Sequence, residues 1–306
     1  MTFDAKPLLQ AASHVAAGQQ YPKGALYLVA SPIGNLADLT LRAVQVLTLA
    51  DIVACEDTRV TGRLLNLLGV DKKLMAVHQH NEIGSAQALI EAMQGGARVA
   101  YLSDAGTPAV SDPGAQLVRA VRDAGLKVVP IPGASSVVTA VSAAGDPHAE
   151  GFHFLGFLPA KGAARAQKLQ APLQQPTSLV LFEAPHRVET LGQELAELVP
   201  DRLVTICREL TKQFEEINTM PASALPTWLK GDPNRQRGEF VWVVHAPATQ
   251  EQSADLPPSA QALMQHLVQH LPIKQAAGLV ADATGLNRKQ LYEAALSWRK
   301  HDDSQS

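Results

Sequence analysis

Side chains able to do chemistry are gathered in short polar clusters, each directly behind an apolar run. The clearest is Ser103-Asp104-Ala105-Gly106-Thr107-Pro108, continued by Ser111-Asp112-Pro113-Gly114. A short acid beside Gly at a strand end can accept hydrogen bonds while the backbone comes close to a ligand. Four more clusters follow the same plan: Ser31-Pro32-Ile33-Gly34-Asn35, Glu56-Asp57-Thr58-Arg59, His78-Gln79-His80-Asn81-Glu82 and Pro132-Gly133-Ala134-Ser135-Ser136. Phe182-Glu183-Ala184-Pro185-His186-Arg187 stands further on. Each is explicable singly: Asp57 or Thr58 as a helix cap, the Pro-Gly pairs as turns, His186 and Arg187 as a solvated pair. Together they would leave several polar loops with no ligand to face. His-x-His places both rings on one strand face, but no third ligand lies near, so the segment is read as a hydrogen-bonding loop and no metal is assigned. The chain lacks both Gly-x-Gly-x-x-Gly and Gly-x4-Gly-Lys-Ser/Thr, which disfavours the common nucleotide-phosphate folds.

The elements needed to position these clusters alternate from residue 24 onward. Apolar runs at 25–31, 51–56, 74–78, 98–103 and 127–131 read as buried parallel strands. Helical patterns at 41–50, 58–68, 85–94 and 115–124 lie between them, with Asp38 or Thr40 as a cap and Gly69, Gly95-Gly96 and Gly125 as stops. This predicts an α/β domain over 24–133. A second α/β domain with more antiparallel pairing is expected over 134–246: a helix at 134–144, strands at 152–157, 178–183, 203–208, 214–219 and 240–245, helices at 188–198 and 223–230, and a basic polar loop around Lys161, Arg165 and Lys168. Residues 1–23 read as a mobile lead-in and 247–258 as a linker. A helical segment over 259–300 holds patterns at 261–271, 273–283 and 288–298, with Gly285-Leu286-Asn287 as a turn.

At 306 residues the chain exceeds the size at which one core keeps growing, so two domains are expected. Hydrophobic content of 46% and charged content of 18% are those of an ordinary globular protein. No apolar run reaches the about 20 residues needed to cross a bilayer, and no secretory signal pattern opens the chain, so it is expected to be cytoplasmic, with no membrane partner. The two cysteines, Cys55 and Cys207, sit in separate apolar runs and read as buried thiols. A net charge of −3 argues against a general nucleic-acid binder but leaves room for local basic patches.

With these residues assembled, the chain resembles the tetrapyrrole methylase superfamily of S-adenosylmethionine-dependent methyltransferases. The matching stretches are SPIGNLADLTLRA, CEDTRVTGRLL, HQHNE, SDAGTPAVSDPG, PIPGASS, GFLP, FEAPHR and RELTK, spread over about residues 26–244. SPIGN and SDAGTP stand where small-molecule members carry a Gly-rich first loop and Gly-Asp-Pro. The likeness is therefore closer to members that 2′-O-methylate a cytidine ribose of 16S rRNA near the decoding centre than to methylases of a corrin or porphyrin precursor, which is the alternative. A non-enzymatic nucleic-acid binder led by the terminal helices is a third reading, disfavoured by the polar strand ends. The resemblance implies two α/β domains, a homodimer, and S-adenosylmethionine in the cleft between domains. By that analogy Ile33, Gly34, Asp104, Ala105, Gly106, Thr107, Gly133, Ser135, Ser136, Phe182 and Ala184 would bind the cofactor. The lead-in before Gly24 is longer than the family pattern, and Ala-Ser-Ser after Gly133 departs from it.

A ribose hydroxyl is a poor nucleophile until a base takes its proton. Candidates are Glu56, Asp57, Asp104, Glu183, His186 and Glu209; Glu56 and Asp57 with Arg59 are favoured, and His186 is an alternative. Asn35, His80, Asn81, Lys161, Arg187 and Lys212 are expected to meet the RNA. Arg165, Lys168, Arg208, Lys230, Arg235 and Arg237, and Lys274, Arg288, Lys289, Arg299 and Lys300 in the terminal helices, are further candidates for phosphate contact, with a solvated face as the alternative.

Overall fold

The computed structural model describes residues 4–78, 82–111, 113–247, 256 and 258–302. The chain forms two compact units, Met1–Ala246 and Pro247–Ser306.

The first unit begins with a parallel sheet built from β1 Ala25–Val29, β2 Ile52–Cys55, β3 Lys73–Ala76, β4 Arg98–Leu102 and β5 Lys127–Ile131, in the order β3-β2-β4-β1-β5. The strands are apolar almost throughout because both faces are covered. Along β1 and β4, Leu26, Val99 and Tyr101 enter one core with Leu89, Met93 and Leu117, while Tyr27, Ala100 and Leu102 enter the other with Val44, Leu47 and Leu65. The period of two along each strand thus divides its side chains between helix layers. Those layers comprise α1 Lys6–Ala16, α2 Leu41–Leu49, α3 Thr58–Leu68, α4 Glu82–Gln94 and α5 Ala115–Asp123. Of Asp38 and Thr40, the expected caps of α2, Thr40 is the one used, accepting from Ala43 N, and Gly69 closes α3 in the left-handed conformation at φ 66°.

The reading of 1–23 as a mobile lead-in is corrected. α1 buries Ala12 and Ala16, packs Leu8 and Leu9 on the core shared with α2, and is tied down when Tyr21 Oη donates to Ala16 O. Arg98 Nε donates in turn to Tyr21 O.

The second sheet contains β6 Phe152–Phe157, β7 Ser178–Glu183, β8 Leu203–Arg208, β9 Glu216–Pro221 and β10 Phe240–Val244, ordered β6-β7-β10-β8-β9. β6 and β7 run parallel and the other neighbours antiparallel. One face holds Leu181, Ile206 and Trp242 against α8 Val188–Leu198 and α9 Leu225–Lys230. The other holds Val180, Cys207, Val241 and Val243 against α6 Ser136–Ala144 and against Ile33, from the loop behind β1. Ile33 thereby fastens the first sheet's loops to the second sheet.

The basic polar loop expected around Lys161, Arg165 and Lys168 is also corrected, since residues Ala163–Gln170 form α7. Its Ala, Gln and Leu residues favour helix, and Arg165 and Leu169, one turn apart, both point inward.

The second unit consists of α10 Pro258–Leu267, α11 Ile273–Thr284 and α12 Arg288–Asp302 around a core of Met264, Ala277, Val280 and Leu291. The turn expected at 285–287 is present, with Gly285 at φ 73°. Most of the linker expected at 247–258 lies outside the described residues. Among the described residues, no helix is long and apolar enough to cross a membrane.

Candidate functional site

The loops behind β1 and β4 are laced together. Ser31 N–H donates to Gly106 O at 2.9 Å and Gly106 N–H donates back to Ser31 O at 3.1 Å. Ser31 Oγ donates to Ser103 O, and Ser103 Oγ donates to Gly106 O. These two strands are neighbours whose onward connections leave in opposite directions, each crossing the other to reach β2 or β5. Such a divergence opens a crevice beyond the carboxyl ends of a parallel sheet. Gly106 suits the place because its φ is +79° and an added Cβ would stand 3.2 Å from Ile33 Cγ2.

That crevice continues into a cavity of about 360 Å³ bounded by both sheets. Ile33, Ala105, Gly106, Thr107, Ser135, Ser136, Phe182 and Ala184, all expected from the sequence to hold a cofactor, lie on its wall. Gly34, Asp104 and Gly133 do not. Gly34 passes beneath the Lys212 stem, where an added Cβ would meet Cγ at 2.5 Å, and a Cβ on Gly133 would meet Ala30 Cβ at 2.9 Å. Both support the wall by allowing close packing behind it. Asp104 turns away, and its Oδ1 accepts from Asp57 N at 3.1 Å.

The other half of the wall comes from the second sheet: Phe157, Cys207, Leu210, Glu239, Phe240 and Val241. Sequence reasoning missed these residues. The signal present was a set of strand ends, but which ends meet follows from antiparallel pairing of β10 with β7 and β8. Phe182 packs edge-on against Phe154 and Phe157, with centroids 4.9 and 5.5 Å away. Burial pushes the Cys207 thiol up to about 12, so it is an apolar surface rather than a nucleophile.

The favoured acids are outside this wall. Asp57 caps α3 by accepting from Arg59 N at 2.8 Å and grips the Arg59 guanidinium at 2.6 Å. The Arg59 bonds hold the Asp57 carboxyl down at about 2, which makes it a poor proton acceptor. Burial raises Asp104. Glu56 follows β2 and is half-buried, whereas His186 is exposed on the short turn Pro185–Arg187. Glu183 is on the wall but is overturned as a base. Its side chain is fully buried; Oε1 accepts from Ala184 N and Arg187, and Oε2 accepts from Arg165. Arg165 lies between Glu183 and Glu194 with 5% of its side chain exposed, which corrects its expected RNA contact. Arg187 is likewise engaged, at 2.6 Å from Glu183.

Of the other expected substrate residues, Asn35 is exposed and its side chain accepts from Ala37 N, and Lys161 is exposed. His80 and Asn81 lie outside the described residues. Lys212 binds Glu209 at 2.9 Å and Glu239 at 3.1 Å. The non-glycine residues with positive φ are Ala109, Ser111, Glu209 and Thr211 among those described. They fall in two loops that lean across to the opposite sheet: Ser111 Oγ approaches Gly156 of β6, and Thr211 approaches Gly34. Strained backbone of this kind persists where its surroundings hold it, often at ligand sites.

A tetrapyrrole (corrin/porphyrin) methylase profile matches residues 25–226, and a profile described as the RsmI C-terminal HTH domain matches residues 254–299. The chain belongs to the tetrapyrrole methylase family and is a methyltransferase of that family. It is 47% identical over 276 residues to ribosomal RNA small subunit methyltransferase I of Neisseria meningitidis serogroup B, covering 90% of this chain and 94% of the relative. The protein of the same name from Escherichia coli O157:H7 is 44% identical over 275 residues, covering 90% and 95%. Among solved structures, the uroporphyrin-III-C-methyltransferase of Thermus thermophilus is 26% identical with a TM-score of 0.52, over 73% of this chain and 94% of that one.

Proposed function

We propose that the chain transfers a methyl group from S-adenosylmethionine to the 2′-oxygen of a cytidine ribose in 16S rRNA of the small ribosomal subunit, near the decoding centre. The observation that carries this reading is coverage. The relatives named for ribosomal RNA match 90% of the chain at 44–47% identity, and the terminal helices match a profile of their own, whereas the solved uroporphyrin enzyme matches 73%.

The cavity suits the cofactor. An aromatic and aliphatic slot (Phe157, Phe182, Leu210) accepts a flat adenine, and the glycine at 106, with no side chain, leaves room for a ligand to come close to the wall. Ser135 precedes α6 and makes no side-chain capping bond, so its hydroxyl and the first amides of the helix can take the methionine carboxylate. When bound, the cofactor supplies a methyl group on a sulfonium. The residues of the chain have the task of aligning donor and acceptor, excluding water and accepting one proton. Alignment alone is worth several kcal/mol in such displacements.

We also infer a homodimer and a division of the first unit into domains at 24–133 and 134–246 with the cofactor between them; a cytoplasmic site of action follows from the substrate. The test is incubation of the protein with labelled S-adenosylmethionine and undermethylated 30S subunits, with mapping of the modified nucleotide. Label on one cytidine ribose supports the reading. Failure to bind the cofactor, or label passing to a tetrapyrrole and not to 30S subunits, overturns it.

A further inference from the structure

We propose that Glu239 is the proton acceptor of the reaction, set in place by Glu209 and Lys212; this rests on the methyl-transfer reading above. Among the described residues two carboxylates stand on the cavity wall, Glu183 and Glu239. Glu183 is fully buried with both oxygens committed to arginines. Glu239 has 77% of its side chain exposed, and its side-chain partner is Lys212, through Oε2 at 3.1 Å. It is therefore the wall carboxylate that a substrate hydroxyl can reach.

Its position is fixed by more than one bond. Glu239 N–H donates to Glu209 Oε1 at 2.9 Å, and Glu209 N–H donates to Glu239 O at 2.9 Å. The preceding Gly238, at φ +94°, lets the Glu209 carboxyl lie against the chain, since an added Cβ would meet Glu209 Oε1 at 2.7 Å. Glu209 and Thr211 hold φ of 53° and 66°, so the turn carrying Lys212 is strained and anchored at once. The Lys212 stem crosses Gly34 of the β1 loop, which ties the pair to the cofactor side of the cavity. An acid on a rigid turn, open to the cavity and beside a fixed cation, suits base catalysis, because the cation can steady charge growing on the substrate oxygen.

In the step, the hydroxyl O–H bond breaks and its proton passes to Glu239. The oxygen electron pair forms the bond to the methyl carbon, and the carbon–sulfur pair stays with sulfur. No oxidant or further reactant is needed.

The test is Glu239→Gln and Glu239→Asp in the full chain. Single-turnover transfer to 30S subunits is measured alongside calorimetric affinities for S-adenosylmethionine and for 30S subunits. The expected result is a transfer rate about 10²–10⁴-fold lower in Glu239→Gln, both affinities within about threefold of wild type, and partial recovery in Glu239→Asp. A Glu239→Gln rate within threefold of wild type overturns the assignment, as does loss of cofactor affinity, which would make Glu239 a cofactor ligand. No transfer by the wild-type chain would instead overturn the functional reading itself.

Discussion

Two groups of charges look alike in the sequence and differ in the fold. Asp57 and Arg59 are near neighbours at the end of β2, and Glu183 and Arg187 are near neighbours at the end of β7. In the first pair the Arg side chain is 83% exposed. In the second Glu183 is wholly buried and shared with Arg165, which Glu194 also holds. Exposure decides what each can do. A buried Glu with each oxygen bonded to a guanidinium is held away from a substrate and fixes the joint of β7 and α7. The exposed pair keeps its cation in water and available to an anion. Lys212 lies between these extremes, fixed by Glu209 and Glu239, of which Glu239 stands exposed on the cavity wall.

The comparison is broken most decisively at Glu183. Replacing it with Ala leaves Arg165 with one carboxylate and strips Arg187 of its carboxylate partner, and removing one member of a buried pair typically costs about 3–5 kcal/mol. Urea unfolding of Glu183→Ala should show a loss of that order with an unchanged m-value. A loss below about 1 kcal/mol would put the cluster in the class of surface pairs. A second, smaller effect is expected at Gly106→Ala. The left-handed φ and the 3.2 Å approach to Ile33 cost about 1–2 kcal/mol and push the β1 loop into the cavity. Cofactor affinity should fall with stability; an affinity equal to wild type would show that this loop does not shape the site.

How much of this was legible depends on the kind of pattern. The parallel sheet was, because strands covered on both faces write unbroken apolar runs such as 99–102, and because Gly69 and Gly125 punctuate the helices. The loops behind β1, β4 and β5 were legible as a set for the same reason: parallel strands in one layer end at one edge. α1 was not, because its apolar contacts come from Leu8, Leu9, Ala12 and Ala16, and alanine is weak as a hydrophobic signal. α7 was hidden by its charges, since an arginine that faces inward to meet a buried glutamate reads the same as one that faces water. Glu239 and Phe240 were missed for a topological reason. They reach the cavity because β10 is inserted between β7 and β8, and no local spacing records that order.

A change at the exposed pair sharpens the comparison from the other side. Asp57→Ala removes one cap bond and one solvent-screened ion pair, so its thermal midpoint should drop far less than that of Glu183→Ala. A drop equal to that of Glu183→Ala would mean that the pair braces the fold. If the Arg59 cation serves RNA, Arg59→Ala should leave cofactor affinity untouched and weaken 30S binding, more at low salt than at high. Equal weakening at both would point to a contact other than a phosphate.

The smallest effect is expected from another buried group, His245, at the end of β10. Its Nε2 is 2.7 Å from Thr205 Oγ1, and its Nδ1 is 3.8 Å from Asp146 Oδ1. Burial lowers its pKa, opposed by the Asp146 carboxylate and assisted by His148. Asp146 is itself buried, but bonds from Ser178, from Ala246 N and from His148 N outweigh that burial and keep it ionised. Because the folded chain holds His245 below its unfolded value of about 6.5, the unfolded chain binds more protons just under that pH. The stability from a neutral His245 is then present above about pH 6.5 and is lost as pH falls through the folded value. Thermal unfolding of the wild-type chain should accordingly show a midpoint that falls between about pH 7 and pH 5.5, with a shallower fall in His245→Gln. A midpoint that rises on acidification, and does so only with His245 present, would mean that Asp146 binds a charged imidazole and that burial does not decide the charge there.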